Sequence, residues 1–246
     1  MSLRLPRAGG LRVHDWEEGR RATWLELFFD LVFVVAVARL GVLLRHDHSA
    51  GGVLVFTGLF VPVWWAWISF SYYADLFDDD GPLHRLAQLA AMLGAAVVAV
   101  TITDGIAADS ARFAATFAVL FLLLTALYGL AYRSEPRARE LCRWYVAGSG
   151  TGALGWAASL AVPAPARYAV WAVGLTANLL LSGPIAYARM QSPPRQVSHM
   201  PERFGLFTIV VLGEAVLAVV NGIDPAAGAA ASATAVAGFV LAAAIW

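Results

Sequence analysis

The sequence predicts an all-α protein, a polytopic transmembrane helix bundle of about eight spanning helices with its N-terminus in the cytoplasm. Three observations carry this. Apolar residues make up 60% of the 246 residues and charged residues 14%, with a mean hydropathy of +0.68, whereas soluble domains hold about 45–50% apolar residues. The apolar residues come in runs of roughly 20, the length at which a helix crosses a hydrocarbon core of about 30 Å. The Arg residues concentrate in alternate connections, as the positive-inside rule requires. The same composition excludes a disordered chain, a disulfide scaffold and a nucleic-acid binder. Strand-period alternation is missing, which argues against a β-barrel.

Taken in order, residues 1–23 form an Arg-rich segment expected in the cytoplasm, and residues 24–246 form the membrane domain. The predicted spans run about 24–44, 53–73, 84–104, 112–132, 142–162, 167–187, 204–221 and 226–246, joined by short polar connections. A twin-arginine or Sec signal is the other reading of the start, because Arg20-Arg21 precedes an apolar run and Ala36-Val37-Ala38 resembles a cleavage site. That run carries Glu26 and Asp30 and continues to Leu44, which fits an uncleaved first span better. With the N-terminus inside, thirteen Arg fall on the cytoplasmic side, and only Arg45, Arg112 and Arg167 fall outside. Losing one span would scramble this alternation. The last span ends at Trp246 with no basic stop, so a C-terminal truncation is expected. The protein is placed in the inner (plasma) membrane as a multi-pass protein. Lipid is its partner, together with a small ion or solute and, as an open option, a second copy of the chain. No nucleic acid and no cofactor are expected.

The chemistry-bearing residues are few. Every basic side chain is Arg, which excludes lysine Schiff-base and Walker-type chemistry. No H-E-x-x-H, G-x-S-x-G, P-loop or zinc-type cysteine set occurs, so the chain is not expected to be an enzyme. In span 1, Glu26 and Asp30 are spaced i, i+4 and share a helix face. Asp30 lies about 9 Å into the membrane from Trp24. It reads equally as an ion or proton site or as a structural partner for an Arg of another helix. Glu26 sits near the interface, where a structural role is favoured. In span 7, Glu214 is about 15 Å from Phe204 and is the deepest acid of the chain. An ionised, unpaired carboxylate there would cost several kcal/mol, so it must be protonated, paired or hydrated. The functional reading is favoured over a structural hydrogen bond. His199, Glu202 and Arg203 form a cytoplasmic-edge motif, with too few ligands for a metal. Asp78, Asp79 and Asp80 could hold a divalent cation through oxygen ligands, although capping of the next helix and pairing with Arg is the stronger reading.

Small and polar residues punctuate the later spans. Gly148-Ser149-Gly150-Thr151-Gly152 suggests close helix packing. Asn178 lies mid-span, and Ser182-Gly183-Pro184 is expected to kink the same helix. Trp64, Trp65 and Trp67 read as packing and interface anchors. Arg39 either snorkels or partners Asp104. Asp30 with Trp64 and Glu214 with Trp246 hint at a parallel repeat of spans 1–2 in spans 7–8.

Three stretches together resemble the bacterial low temperature requirement A protein family. They are Glu26-Leu27-Phe28-Phe29-Asp30-Leu31-Val32-Phe33, the segment from Trp64 to Arg85 with Phe77-Asp78-Asp79-Asp80 and His84-Arg85, and the long run from Glu202-Arg203-Phe204-Gly205 to Gly213-Glu214. The resemblance runs from about residue 24 to the end. It implies a multi-spanning inner-membrane protein, usually longer than this chain, with a cold-growth name and no biochemical activity to carry over. It adds weight to Glu26, Asp30, Glu202, Arg203 and Glu214. Two functional classes follow as expectations. One is a transporter or ion/proton-translocating protein working through Asp30 and Glu214, with Glu202 and Arg203 at its cytoplasmic mouth. The other is a non-catalytic membrane scaffold or cold/stress-adaptation factor whose carboxylates hold helices together. A lipid enzyme with metal at Asp78–Asp80 ranks last.

Overall fold

In the computed structural model, residues 23–77, 81–103, 106–190, 200–221 and 228–245 are described. Every element among them is helical: α1 (Trp24–His46), α2 (Ala50–Leu76), α3 (Pro82–Thr103), α4 (Ile106–Ser134), a 3-10 turn at Pro136–Ala138, α5 (Arg139–Ser159), α6 (Ala166–Ser182), α7 (Pro184–Arg189), α8 (Met200–Asn221) and α9 (Gly228–Ile245). Among the described residues six stretches are long and apolar enough to cross a membrane: α1, α2, most of α3, α4 from Asp109, the α6–α7 pair and α8. The other two predicted spans are also helical. α5 falls short in hydropathy because it carries Arg143 and the Gly148–Gly152 run, and α9 contributes a shorter apolar stretch, Ser232–Ala244.

Local chemistry sets the helix ends. Thr23 and Glu26 form a capping box: the Glu26 carboxylate accepts from the Thr23 N–H at 2.7 Å, and the Thr23 hydroxyl accepts from the Glu26 N–H at 3.3 Å. Two of the unpaired amides at the start of α1 are thereby satisfied. Ser49 caps α2 by accepting from the Gly52 N–H. The expected kink in the sixth span is a full break. Pro184 has no N–H and disfavours a helical residue before it, so Gly183 leaves the helix (φ −107°, ψ −106°) and α7 starts afresh at Pro184. Asp109 has non-helical dihedrals (φ −114°, ψ 18°) and separates the first residues of α4 from its membrane stretch.

The helices pack in a connected set. α1 contacts α2, α3 and α8, and α4 contacts α3 and α5. α6 joins the set through α5, and α9 is held by α8. The interior is strongly aromatic, with Phe29, Phe33, Trp67, Phe113, Phe117, Phe121, Tyr128 and Trp156 almost wholly buried. The α5–α6 contact explains the small residues of α5. Gly148 lies against Ser182, Gly152 against Asn178, and Gly155 against Gly174, where an added Cβ would come within 2.9 Å of the Gly174 Cα. The α5 positions ascend while the α6 positions descend, so the two helices run antiparallel with their backbones in close approach. At the α4–α6 end, Arg167 ties three helices together. It donates to the Ser159 and Val162 carbonyls at 3.1 and 3.0 Å and to the Ser110 hydroxyl at 2.8 Å.

Candidate functional site

The two acids singled out in the spans have opposite surroundings. Asp30 is buried in α1 and paired. The Arg203 Nη2 donates to its Oδ1 at 2.9 Å, and both side chains are 3% exposed. The Trp67 indole N–H donates to the same oxygen at 2.7 Å. Arg203 also points Nη1 at the Ser71 carbonyl, 3.4 Å away, and its guanidinium lies 5.9 Å from the centre of the Phe29 ring. Trp67 is in turn clamped by α8, with Phe207 stacked at 4.2 Å and Phe204 edge-on at 5.2 Å. One cluster therefore joins α1, α2 and α8. A buried charge is tolerated when it is paired and hydrogen-bonded, and this pair is both. The Arg203 Nε and the Ser71 hydroxyl remain buried without a partner among the described residues.

Of the two readings open for Asp30, the structure shows the paired one, with Arg203 as the partner. Arg203, expected at a cytoplasmic mouth, lies instead inside the helix packing at 2% exposure. Trp67, expected as a packing and interface anchor, is packed in the interior and in addition donates a hydrogen bond to the buried acid. Glu26 is buried at 7% and serves the N-cap of α1. Glu202 is exposed beside Arg203. Arg39 is exposed on α1, and Asp104, its suggested partner, lies outside the described residues. So do His199, the Asp78–Asp80 cluster, the Arg-rich residues 1–22 and Trp246. Among the described residues no group of three or more His, Cys, Asp or Glu is placed to hold a metal ion.

Glu214 is half-buried and has no hydrogen-bond or ion-pair partner among the described residues. It lines a groove of about 340 Å³ between α1 and α8, to which Phe56 of α2 also contributes. The Asp30–Arg203 pair joins the starts of α1 and α8, and the groove reaches Arg45 and Asn221 at their far ends, so the two helices run parallel. Glu214 is seven residues before Asn221, about 10 Å from the mouth along the axis. Its nearest lining is mostly apolar, with Val34, Val37 and Val42 of α1 and Val211 and Leu217 of α8, and Arg45 and Asn221 are the other polar residues. Leu217 is 51% exposed at the groove's edge. A second polar link lies deeper in the chain order, where the Trp65 indole N–H donates to Asn178 Oδ1 at 2.7 Å and joins α2 to α6.

Comparison with known proteins agrees with this picture of a helical membrane protein. The family described as the bacterial low temperature requirement A protein (LtrA) matches residues 21–246. A curated relative, the uncharacterized protein RA0937 of Rhizobium meliloti (strain 1021), is 28% identical over 213 residues, covering 81% of this chain and 50% of the relative. The chain thus spans about half the length of that relative. No solved structure matches. With the family covering nearly the whole chain, the buried Asp30 and Arg203 and the groove-lining Glu214 all lie within its bounds, and the chain belongs to the bacterial low temperature requirement A protein family.

Proposed function

We propose that this multi-pass membrane protein is part of a transporter or ion/proton-translocating protein in which Glu214 is the carboxylate that loads and releases the transported species. The observation that carries this is the contrast between the two acids. Asp30 is committed to Arg203 and Trp67. Glu214 faces an open groove inside the span and has no partner among the described residues. A carboxylate in hydrocarbon marks an ion or proton path more often than an accident of packing. The Asp30–Arg203–Trp67 cluster then acts as the pin that holds the start of α8 while its far end borders the groove.

In this proposal the N-terminus is cytoplasmic in the inner membrane, and α5 and α9 complete eight spans, as the Arg distribution favours. α5 would be admitted despite its polar middle because that face is buried against α6. The protein would carry out no covalent chemistry, and the Asp78–Asp80 loop would cap α3 rather than bind metal. A second reading, a scaffold or stress-adaptation factor, draws its support from the pinned cluster, which is structural by geometry.

The test is proton and monovalent-cation flux in proteoliposomes, comparing wild type with Glu214→Gln. The expected result is wild-type flux that falls at least tenfold in a Glu214→Gln protein of unchanged thermal stability. Equal flux in the two proteins, or none in either and none in a longer family member, would sink the transport reading. A stability change with no flux would favour the scaffold.

A further inference from the structure

We propose that the α1–α8 groove binds an organic ammonium ion with an apolar body, seating its positive charge on Glu214 and its hydrocarbon against the valines of α1. The inference deepens the role just assigned to Glu214 and rests on it. Three features of the groove select this chemistry. The first is ligand number. A hard metal cation takes six or more oxygen ligands, whereas the lining offers the Glu214 carboxylate and, about 10 Å away along the axis, the Asn221 amide. A quaternary ammonium carries no N–H donors to satisfy, so a single carboxylate can balance its charge.

The second feature is shape and lining. A volume of about 340 Å³ lies at the small end of the range for sites that take small organic molecules, and such sites are mostly apolar with a few placed polar groups. Val34, Val37, Val42 and Phe56 meet that description around one acid. The third is access and charge layout. The exposed Leu217 stands at the groove's edge, so a ligand dissolved in the membrane can enter there without crossing the helix packing. Arg45 stands at the mouth and disfavours a cation lodging there, which leaves Glu214 as the seat for positive charge.

Gly41 supplies a test that leaves Glu214 untouched. It lines the groove, and an added Cβ there meets nothing within 4 Å. Gly41→Leu should therefore grow into the groove without disturbing the helix packing. The experiment is calorimetric titration of octyltrimethylammonium into the full chain in lipid nanodiscs, with empty nanodiscs subtracted and octyl sulfate as the anionic control. Wild type is expected to show saturable binding of the ammonium and none of the sulfate. Affinity should fall at least tenfold in Glu214→Gln and at least tenfold in Gly41→Leu, with thermal stability unchanged in both. Equal affinity in wild type and either variant would overturn the proposal, as would tighter binding of octyl sulfate, which would make Arg45 the anchor. The two readings fail separately. Proton flux that depends on Glu214 with no ammonium binding removes the ligand assignment alone, and ammonium binding without any flux removes translocation alone.

Discussion

Substituting Asp30 by leucine should be among the most destabilising single changes in the chain. The carboxylate accepts from Arg203 at 2.9 Å and from Trp67 at 2.7 Å on one oxygen, in a site where both charged side chains are 3% exposed. Without it, the guanidinium is stranded away from water, with a Nε that already has no partner. The Trp67 N–H also loses its acceptor beneath Phe204 and Phe207. Removing one partner of a buried ion pair costs about 3–5 kcal/mol. For a chain of this length that corresponds to a fall in Tm of roughly 6–20 °C. The sole cysteine, Cys142, is fully buried, so a thiol-reactive dye in a thermal ramp reports unfolding from a single site. The matched experiment is the double variant Asp30→Leu/Arg203→Met. Replacing a buried pair with apolar residues of similar size is often neutral, so the double variant should recover most of the loss suffered by Asp30→Leu. A shift below about 2 °C in Asp30→Leu, or a double variant whose loss is the sum of the two single losses, would refute the coupling.

Three further outcomes follow from the same geometry. Trp67→Phe keeps most of the ring packing and removes one hydrogen bond to a charged acceptor, and should cost about 1.5–3 kcal/mol in the same thermal assay. Gly155→Val should lower stability by at least the roughly 1–3 kcal/mol of overpacking, because the added carbons meet the Gly174 backbone, which cannot rotate away; Gly129→Ala, in open space, should change little. The connection between α1 and α2 should loosen in acid. Asp47 accepts hydrogen bonds from Ser49, side chain first and backbone second, and these hold its carboxyl below the usual carboxylate range. A depressed carboxyl contributes stability that is present above its unfolded value of about 3.9 and is lost as pH falls through the lower folded value. Hydrogen exchange at Ser49 and Gly52 should thus speed up only below about pH 3.9, beyond the intrinsic pH trend. Asp47→Asn should remove that extra step.

Much of the architecture was legible in the residues because bilayer thickness imposes a length on apolar runs and forbids unpaired backbone inside them. Among the described residues each predicted span is helical, the sixth as two helices, and the break at Gly183-Pro184 follows from the covalent chemistry of proline. Six of the stretches also satisfy length and hydropathy. α5 does not, because Arg143 and the small residues that let it approach α6 both lower its hydropathy. Hydropathy measures affinity for lipid and is blind to a face spent on another helix. The depth of Asp30 and Glu214 could likewise be counted along their own helices at 1.5 Å per residue.

What no single helix contains is the azimuth of a side chain relative to helices far away in sequence. Asp30 and Arg203 are 173 residues apart, and their meeting depends on α1 and α8 packing side by side in parallel. That packing decides which acid is spent and which is open. It turns Asp30 toward Arg203 and Trp67, and it leaves Glu214 facing the groove. The sequence by itself determined the helices, their approximate lengths and the acids they carry, since those follow from local composition and membrane thickness. Only the tertiary structure decided that Asp30 is pinned and Glu214 is available, because the cost of a buried charge is set by the partners that other helices bring to it.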